Sequence, residues 1–222
     1  MARSLRGTPS QGLWGATLGF FFGFAAVALF GPTAARFQQV MGLSPMAVGF
    51  LVAMPSLSGS LLRIPFAAWV ETTGGRKPFL VLLGLSSIGM AGLTAVAVWI
   101  YPDSLTAAWY PALLALGMLC GCGIATFSVG ISQVSYWHRQ RQQGRALALF
   151  GGLGNVAPGI FTLVLPFALG QWGLATSYVA WFVMLLAGTA LYAFMGRNSW
   201  YFQLRSQGVS DAEARREATA LG

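Results

Sequence analysis

The chain has 222 residues, of which 56% are hydrophobic and only 8% charged, against roughly 25% charged in an ordinary soluble domain. Thirteen Lys and Arg against five Asp and Glu give a net charge of +8, but the charges gather in short segments between long apolar runs. That is the pattern of loop charge beside anionic lipid and not of a nucleic-acid surface, and with one histidine and no carboxylate inside an apolar run it argues against an enzyme, a metal centre or a bound cofactor.

The charge-free runs are Gly7 to Ala35, Phe37 to Leu62, Pro78 to Pro102, Ser104 to Trp137 and Ala146 to Gly196. Each exceeds the ~20 residues with which a helix crosses a bilayer. The last is 51 residues long, enough to cross twice, with Gly170-Gln171-Trp172-Gly173 as the turn. The runs predict an all-α integral membrane protein with six transmembrane helices, over Leu13–Arg36, Met46–Val70, Pro78–Tyr101, Trp109–Tyr136, Arg145–Leu169 and Gly173–Gly196. No ~10-residue alternating segments suggest a β-barrel. The first run is too long for the apolar region of a cleaved signal peptide.

Orientation follows from Lys and Arg, which stay on the cytoplasmic side when they sit in short loops. Eleven of the thirteen fall on one side: Arg3, Arg6, Arg76, Lys77, Arg139, Arg141, Arg145, Arg197, Arg205, Arg215 and Arg216. Arg36 alone lies on the other, and Arg63 is inside a helix. Both termini are therefore expected in the cytoplasm. Residues 1–12 form an amino-terminal cytoplasmic segment, 13–196 the membrane domain, and 197–222 a polar cytoplasmic tail able to form a short surface helix.

In the second helix, Arg63 stands about five residues inward of the midpoint, hence ~7–8 Å from the membrane centre. A cation there costs ~2.5–3.5 kcal/mol or more unless compensated, and no Asp or Glu occupies a helix interior. Either a transported anion supplies the counter-charge, met by the two parallel donors of the guanidinium fork, or Arg63 snorkels to headgroups or bonds to carbonyls freed by Pro65. The fourth helix carries Gly117, Gly121, Ala125, Ser128, Ser132 and Ser135 on one stripe, a packing seam or a cavity wall. Its Phe127 either walls a small-ligand path or simply packs, and Cys120 and Cys122 read as small packing residues. The fifth helix holds Phe150-Gly-Gly-Leu-Gly-Asn155-Val-Ala-Pro158-Gly159. Gly151, Asn155 and Gly159 fall at steps of four, placing an amide on a glycine face, and Pro158 deprives the Gly154 carbonyl of its usual donor.

At these residues the chain resembles the amino-terminal half of a nitrate/nitrite porter of the major facilitator superfamily, from about Trp14 onward. Arg63 in Leu62-Arg63-Ile-Pro65 resembles the family's substrate-binding arginine. The stretch Gly151-Gly152-Leu-Gly154-Asn155, continuing to Gly159, resembles its nitrate signature, and Phe127 in Ala125-Thr-Phe127 the aromatic that packs over bound anion. The loop Glu71-Thr-Thr-Gly74-Gly-Arg76-Lys77 is similar to the superfamily's gating loop, with Glu for the usual Asp and Thr72 for a basic residue, which weakens an inferred gating salt bridge. Trp200-Tyr-Phe-Gln-Leu and Ala212-Glu-Ala-Arg-Arg resemble the linker before a seventh helix. The resemblance implies transport of nitrate or nitrite across a cell membrane, such as a bacterial inner membrane, as half of a porter. It also implies a partner, a complementary six-helix half or another copy of this chain, since the family closes its site with a second arginine from the other half. A carrier for another small solute, a non-transporting membrane assembly protein and a truncated fragment are the alternatives.

Overall fold

The computed structural model describes residues 4–221, and every regular element among them is helical. Six helical stretches are long and apolar enough to cross a membrane: Pro9–Met41, Pro45–Thr73, Arg76–Ile100, Ala107–Trp137, Gln140–Gln171 and Gly173–Met195. They coincide with the six predicted spans and overrun most of them by a few residues, because the helices continue past the apolar stretch into capped ends. In hydrocarbon a helix satisfies all of its own backbone groups, so length is set by the bilayer and the ends by local chemistry.

The first span is built from α1 (Pro9–Gly23) and α2 (Ala25–Met41), joined at Phe24. Thr8 caps α1, its hydroxyl accepting from the Gln11 N–H at 3.2 Å, and Pro9 follows where a missing N–H costs nothing. The second span is α3 (Pro45–Thr73), opened in the same way by Ser44 and Pro45 and closed by Gly74. The third is α4 (Arg76–Ala95), which widens into a π-helical turn over Val96–Ile100. A 3-10 turn, Ala107–Trp109, leads into α5 (Tyr110–Trp137), the fourth span. The fifth, α6 (Gln140–Gln171), runs unbroken through Pro158 and Pro166, and the sixth is α7 (Gly173–Met195). The turn between the last two reduces to Trp172 and Gly173, whose φ of +75° is one that L side chains rarely adopt.

The fourth span is the centre of the bundle, packed against α1, α3, α4 and α6. Its small-residue stripe is, at Gly117 and Gly121, a packing seam: a Cβ on Gly121 would stand 2.1 Å from the Pro55 carbonyl oxygen of α3, and one on Gly117 would meet Phe30 and Pro55. On another face Gly123 lies against Gly23 beside the α1/α2 joint, where an added Cβ would stand 2.2 Å from the Gly23 oxygen. Ser58 donates to the Met118 carbonyl at 2.8 Å and Ser86 to Cys120 at 3.0 Å, so hydroxyls tie helices whose backbones glycine has brought together. Cys120 and Cys122 are buried and unpaired, as packing residues would be.

Burial is uneven among the spans. In their most apolar stretches, 61% of the first and 56% of the fourth lie inside the bundle, but only 22% of the second and of the fifth. The two least buried spans carry Arg63 and Asn155.

The tail differs from one short surface helix. It forms two, α8 (Trp200–Ser206) and α9 (Asp211–Leu221), around a small core of Tyr201, Phe202, Leu204, Val209 and Ala214. The amino-terminal segment is tied to it. Gln203 accepts from the Arg6 N–H at 2.9 Å and donates to the Arg6 carbonyl at 2.7 Å, and the Trp200 indole N–H donates to the Gly7 carbonyl at 3.2 Å. Both ends of the six-span bundle therefore lie on one side.

Candidate functional site

Arg63 lies four residues beyond the midpoint of Pro45–Thr73, ~6 Å along the helix axis. Its guanidinium carbon stands 5.5 Å from the centroid of the Phe127 ring. The Nε is buried without a hydrogen-bond partner, and no ion pair reaches the side chain among the described residues. The carbonyls near Pro65 therefore do not receive it. A cation over an aromatic face gains ~0.5–2 kcal/mol, less than the ~2.5–3.5 kcal/mol or more that a guanidinium costs at membrane depth. The ring therefore offsets only part of that cost, and no carboxylate meets the guanidinium among the described residues.

Phe127 is held from behind. It stacks on Phe150 of α6 at 5.8 Å with planes 15° apart and tilts against Phe20 of α1 at 5.2 Å. This aromatic group, with Phe24 5.0 Å from Phe20, forms a rigid apolar backing for the guanidinium. Gly151 adjoins it, since a Cβ there would rest 3.8 Å from Phe127 Cε2. One turn on, the exposed Asn155 donates from Nδ2 to the Gly151 carbonyl at 2.7 Å. That bond uses one of the amide's two N–H groups and neither lone pair of its Oδ1. Arg63 thus meets Phe127 across the second and fourth spans, Phe127 adjoins Gly151 of the fifth, and Asn155 follows Gly151 one turn along that helix.

The remaining glycines of the fifth span divide between two faces. Gly152 and Gly159 are exposed, and a Cβ on either would meet nothing within 4 Å, so they leave open backbone beside Asn155. Gly154 points the other way. It is buried, and a Cβ on it would stand 2.2 Å from the ring of Phe20, which makes it a contact of the fifth span with the first and not part of the open face.

The loop after the second span begins at Gly74, past the end of the helix that lies nearer to Arg63. Glu71 accepts from the Tyr136 hydroxyl at 2.5 Å and has no ion pair among the described residues. Arg76 reaches the carboxyl end of the sixth span, donating to the Ala193 carbonyl at 3.0 Å, where the helix dipole favours a cation. Lys77 is exposed. Gly74, at φ +80°, leaves room for Asn198, whose side chain would be 2.5 Å from a Cβ on that glycine.

Asn198 is the residue that sequence reasoning missed. Its Oδ1 accepts from the Arg76 N–H and its Nδ2 donates to the Thr73 carbonyl, both at 2.9 Å. It is a peg from the end of the sixth span seated in the loop between the second and third. Beside it the buried Gln133 accepts from the Tyr192 hydroxyl at 2.6 Å and donates to the Arg197 carbonyl at 3.2 Å, which Trp137 also reaches at 3.2 Å. No spacing motif announces these contacts. The paired Gly74 and Gly75, each tight against a polar side chain from elsewhere, were the available signal.

Comparison with known proteins shows the family to which the chain is related. The family model described as the Major Facilitator Superfamily matches residues 16–217. The nitrate/nitrite transporter NarU of Salmonella typhimurium is 27% identical over 212 residues, which cover 87% of this chain and 44% of that protein. The probable nitrate/nitrite antiporter NarK1 of Thermus thermophilus is 32% identical over 154 residues, 69% of this chain and 32% of its own length. The probable nitrate/nitrite transporter NarK2 of Mycobacterium tuberculosis is 30% identical over 181 residues, 81% and 43%. The chain spans less than half the length of each of these relatives.

Proposed function

The chain belongs to the major facilitator superfamily, and we propose that it is half of a nitrate/nitrite porter, a multi-pass protein of a bacterial inner membrane with both termini in the cytoplasm. The observation that carries this reading is Arg63, an uncompensated guanidinium with a buried, unpartnered Nε on a sparsely buried span. A planar oxyanion supplies what it lacks. One edge of nitrate or nitrite accepts two parallel N–H bonds from the fork, while Phe127 lies against the guanidinium and Asn155 keeps one N–H free to donate. The family resemblance and the relatives, a nitrate/nitrite transporter and a probable nitrate/nitrite antiporter, support the choice of anion.

The second half of the proposal is a partner. On the second span Gly49, Ala53, Ser56 and Ser60 are exposed together with a half-buried Arg63, and on the fifth Gly152, Asn155, Gly159 and Thr162 are exposed. Lipid chains do not favour a charged and amide-bearing face, whereas small residues let another helix approach closely. A second six-helix unit, encoded separately, in a longer chain or as another copy, covers this face and encloses the ion. The loop at Glu71, Gly74, Arg76 and Lys77 is the gating loop of that arrangement. Eleven basic residues on one side set the orientation, so a reporter fused after Arg205 is expected to read cytoplasmic.

Replacement of the fork tests the substrate role. Arg63→Lys keeps the charge but replaces a planar bidentate donor with a compact ammonium. In membranes where the chain is assembled with its complementary half, at matched expression, nitrate uptake is expected to fall at least ~10-fold, the equivalent of ~1.4 kcal/mol. Asn155→Ala is expected to weaken uptake less. Near-normal uptake by Arg63→Lys overturns the substrate role, because lysine snorkels about as well as arginine.

A further inference from the structure

The face that carries the tail holds a groove unrelated to the anion path. It has a volume of about 860 Å³ and lies between the α5–α6 junction and the tail helices. Four basic side chains line it, His138, Arg139, Arg141 and Arg215, along with the aromatic rings of Tyr136, Trp137, Trp200 and Tyr201, and no carboxylate is among its lining residues. The wall is ordered by its own contacts. Arg139 donates from Nε to the Thr219 carbonyl at 3.1 Å, Arg215 pairs with Asp211 at 2.9 Å and lies 5.3 Å above the Tyr201 ring, and Tyr136 stacks on Tyr201 at 5.4 Å. His138 donates from Nδ1 to the Val134 carbonyl at 2.9 Å, which leaves Nε2 as its second polar atom. Arg141 has neither a hydrogen bond nor an ion pair among the described residues and is exposed.

We infer that this groove binds the phosphate group of an anionic ligand, and that the ligand is a membrane phospholipid whose headgroup bridges the α5–α6 junction to the tail. Arginine forks match phosphate oxygens in the way they match carboxylates. The volume favours a phosphate carried on a larger molecule, since it lies in the range of sites that hold drug-sized ligands. Position favours a lipid. The apolar run of the fourth span ends at Trp137 and that of the fifth begins at Ala146, so the groove residues stand at the headgroup level, beside the tryptophan and tyrosine rings that partition there. Because Arg139 and Arg215 belong to opposite walls, an occupant that accepts from both links α9 to the bundle. This inference does not depend on the identity of the transported ion.

The full chain, purified in detergent and stripped of lipid, is titrated with dioctanoyl phosphatidylglycerol, dioctanoyl phosphatidylcholine or inorganic phosphate. Native mass spectrometry reads bound lipid, and hydrogen exchange reads protection of Asp211–Leu221. One saturable phosphatidylglycerol is expected, with raised protection of α9 and no such effect of phosphatidylcholine. Arg141→Gln, an exposed change that breaks no contact, is expected to weaken that binding about tenfold, the loss of one charge-assisted pair. Arg145→Gln, which removes the same charge one turn along α6 but outside the groove, is expected to change it less than about twofold, as charges acting only through screened water do. Displacement of the lipid by inorganic phosphate at matched concentration assigns the site to a free phosphate-bearing ligand and overturns the lipid assignment. Equal effects of Arg141→Gln and Arg145→Gln, or equal binding of the two lipids, overturn the site.

Discussion

Arg63 and Asn198 show what a single residue reveals of itself. Arg63 is legible in the sequence because charge is so costly in hydrocarbon that one cation in an otherwise apolar run demands a reason. Its companion Phe127 is not legible on physical grounds, since sixteen phenylalanines populate the chain and only the fold selects the one whose ring lies beneath a guanidinium. Asn198 is less legible still. It sits at the start of a polar tail, where an asparagine needs no explanation, and its partners are 122 and 125 residues away. With both of its amide groups used to close the loop after the second span, Asn198→Ala strands the Arg76 N–H and the Thr73 carbonyl. At ~1–3 kcal/mol for each partly buried group left unsatisfied, the thermal midpoint is expected to fall by several degrees, measured by differential scanning fluorimetry in detergent. An unchanged midpoint contradicts the role of Asn198 as a peg.

Helices were recovered from charge-free length alone, because in a bilayer the apolar run and the span are nearly the same object. Their ends were less accurate, since caps such as Thr8 with Pro9 and Ser44 with Pro45 extend the helix beyond the hydrocarbon. What the apolar pattern does not encode is which side of each helix meets protein. Glycine spacing marked the fifth span as a close-approach helix, yet its glycines serve two faces: Gly154 packs on Phe20 while Gly152 and Gly159 face open space. On the fourth span the stripe left open a seam or a cavity, and at Gly121 the Pro55 carbonyl decides for a seam. The contrast is testable. Gly121→Ala places a methyl against a backbone oxygen and is expected to cost ~1–3 kcal/mol through overpacking. Gly152→Ala meets nothing and is expected to be neutral or stabilising by up to ~1 kcal/mol from helix propensity. Thermal unfolding of the two variants in the same detergent separates them, and an equal loss in both contradicts the assigned faces.

For the molecule as a whole, the sequence indicates six spans and an orientation, and the fold adds the inequality among the spans. The first and fourth are mostly buried, whereas the second and fifth are mostly open and carry the polar residues that lipid disfavours. In the proposed function this open surface is one side of an anion site, and a second six-helix unit covers it. This could not be read from hydropathy, since a span facing lipid and a span facing another half are equally apolar on average. The central claim is that nitrate occupies the space in front of Arg63, and thiol protection tests it most directly. Ser60 lies one turn from Arg63 on the same exposed face. With Cys120 and Cys122 replaced by Ala, Ser60→Cys in the assembled protein is labelled by a maleimide in the presence of nitrate or of an equal concentration of chloride. Nitrate is expected to slow labelling severalfold relative to chloride and to lose that effect when Arg63→Lys is added. Labelling that is indifferent to nitrate, or slowed equally with and without Arg63→Lys, contradicts the account.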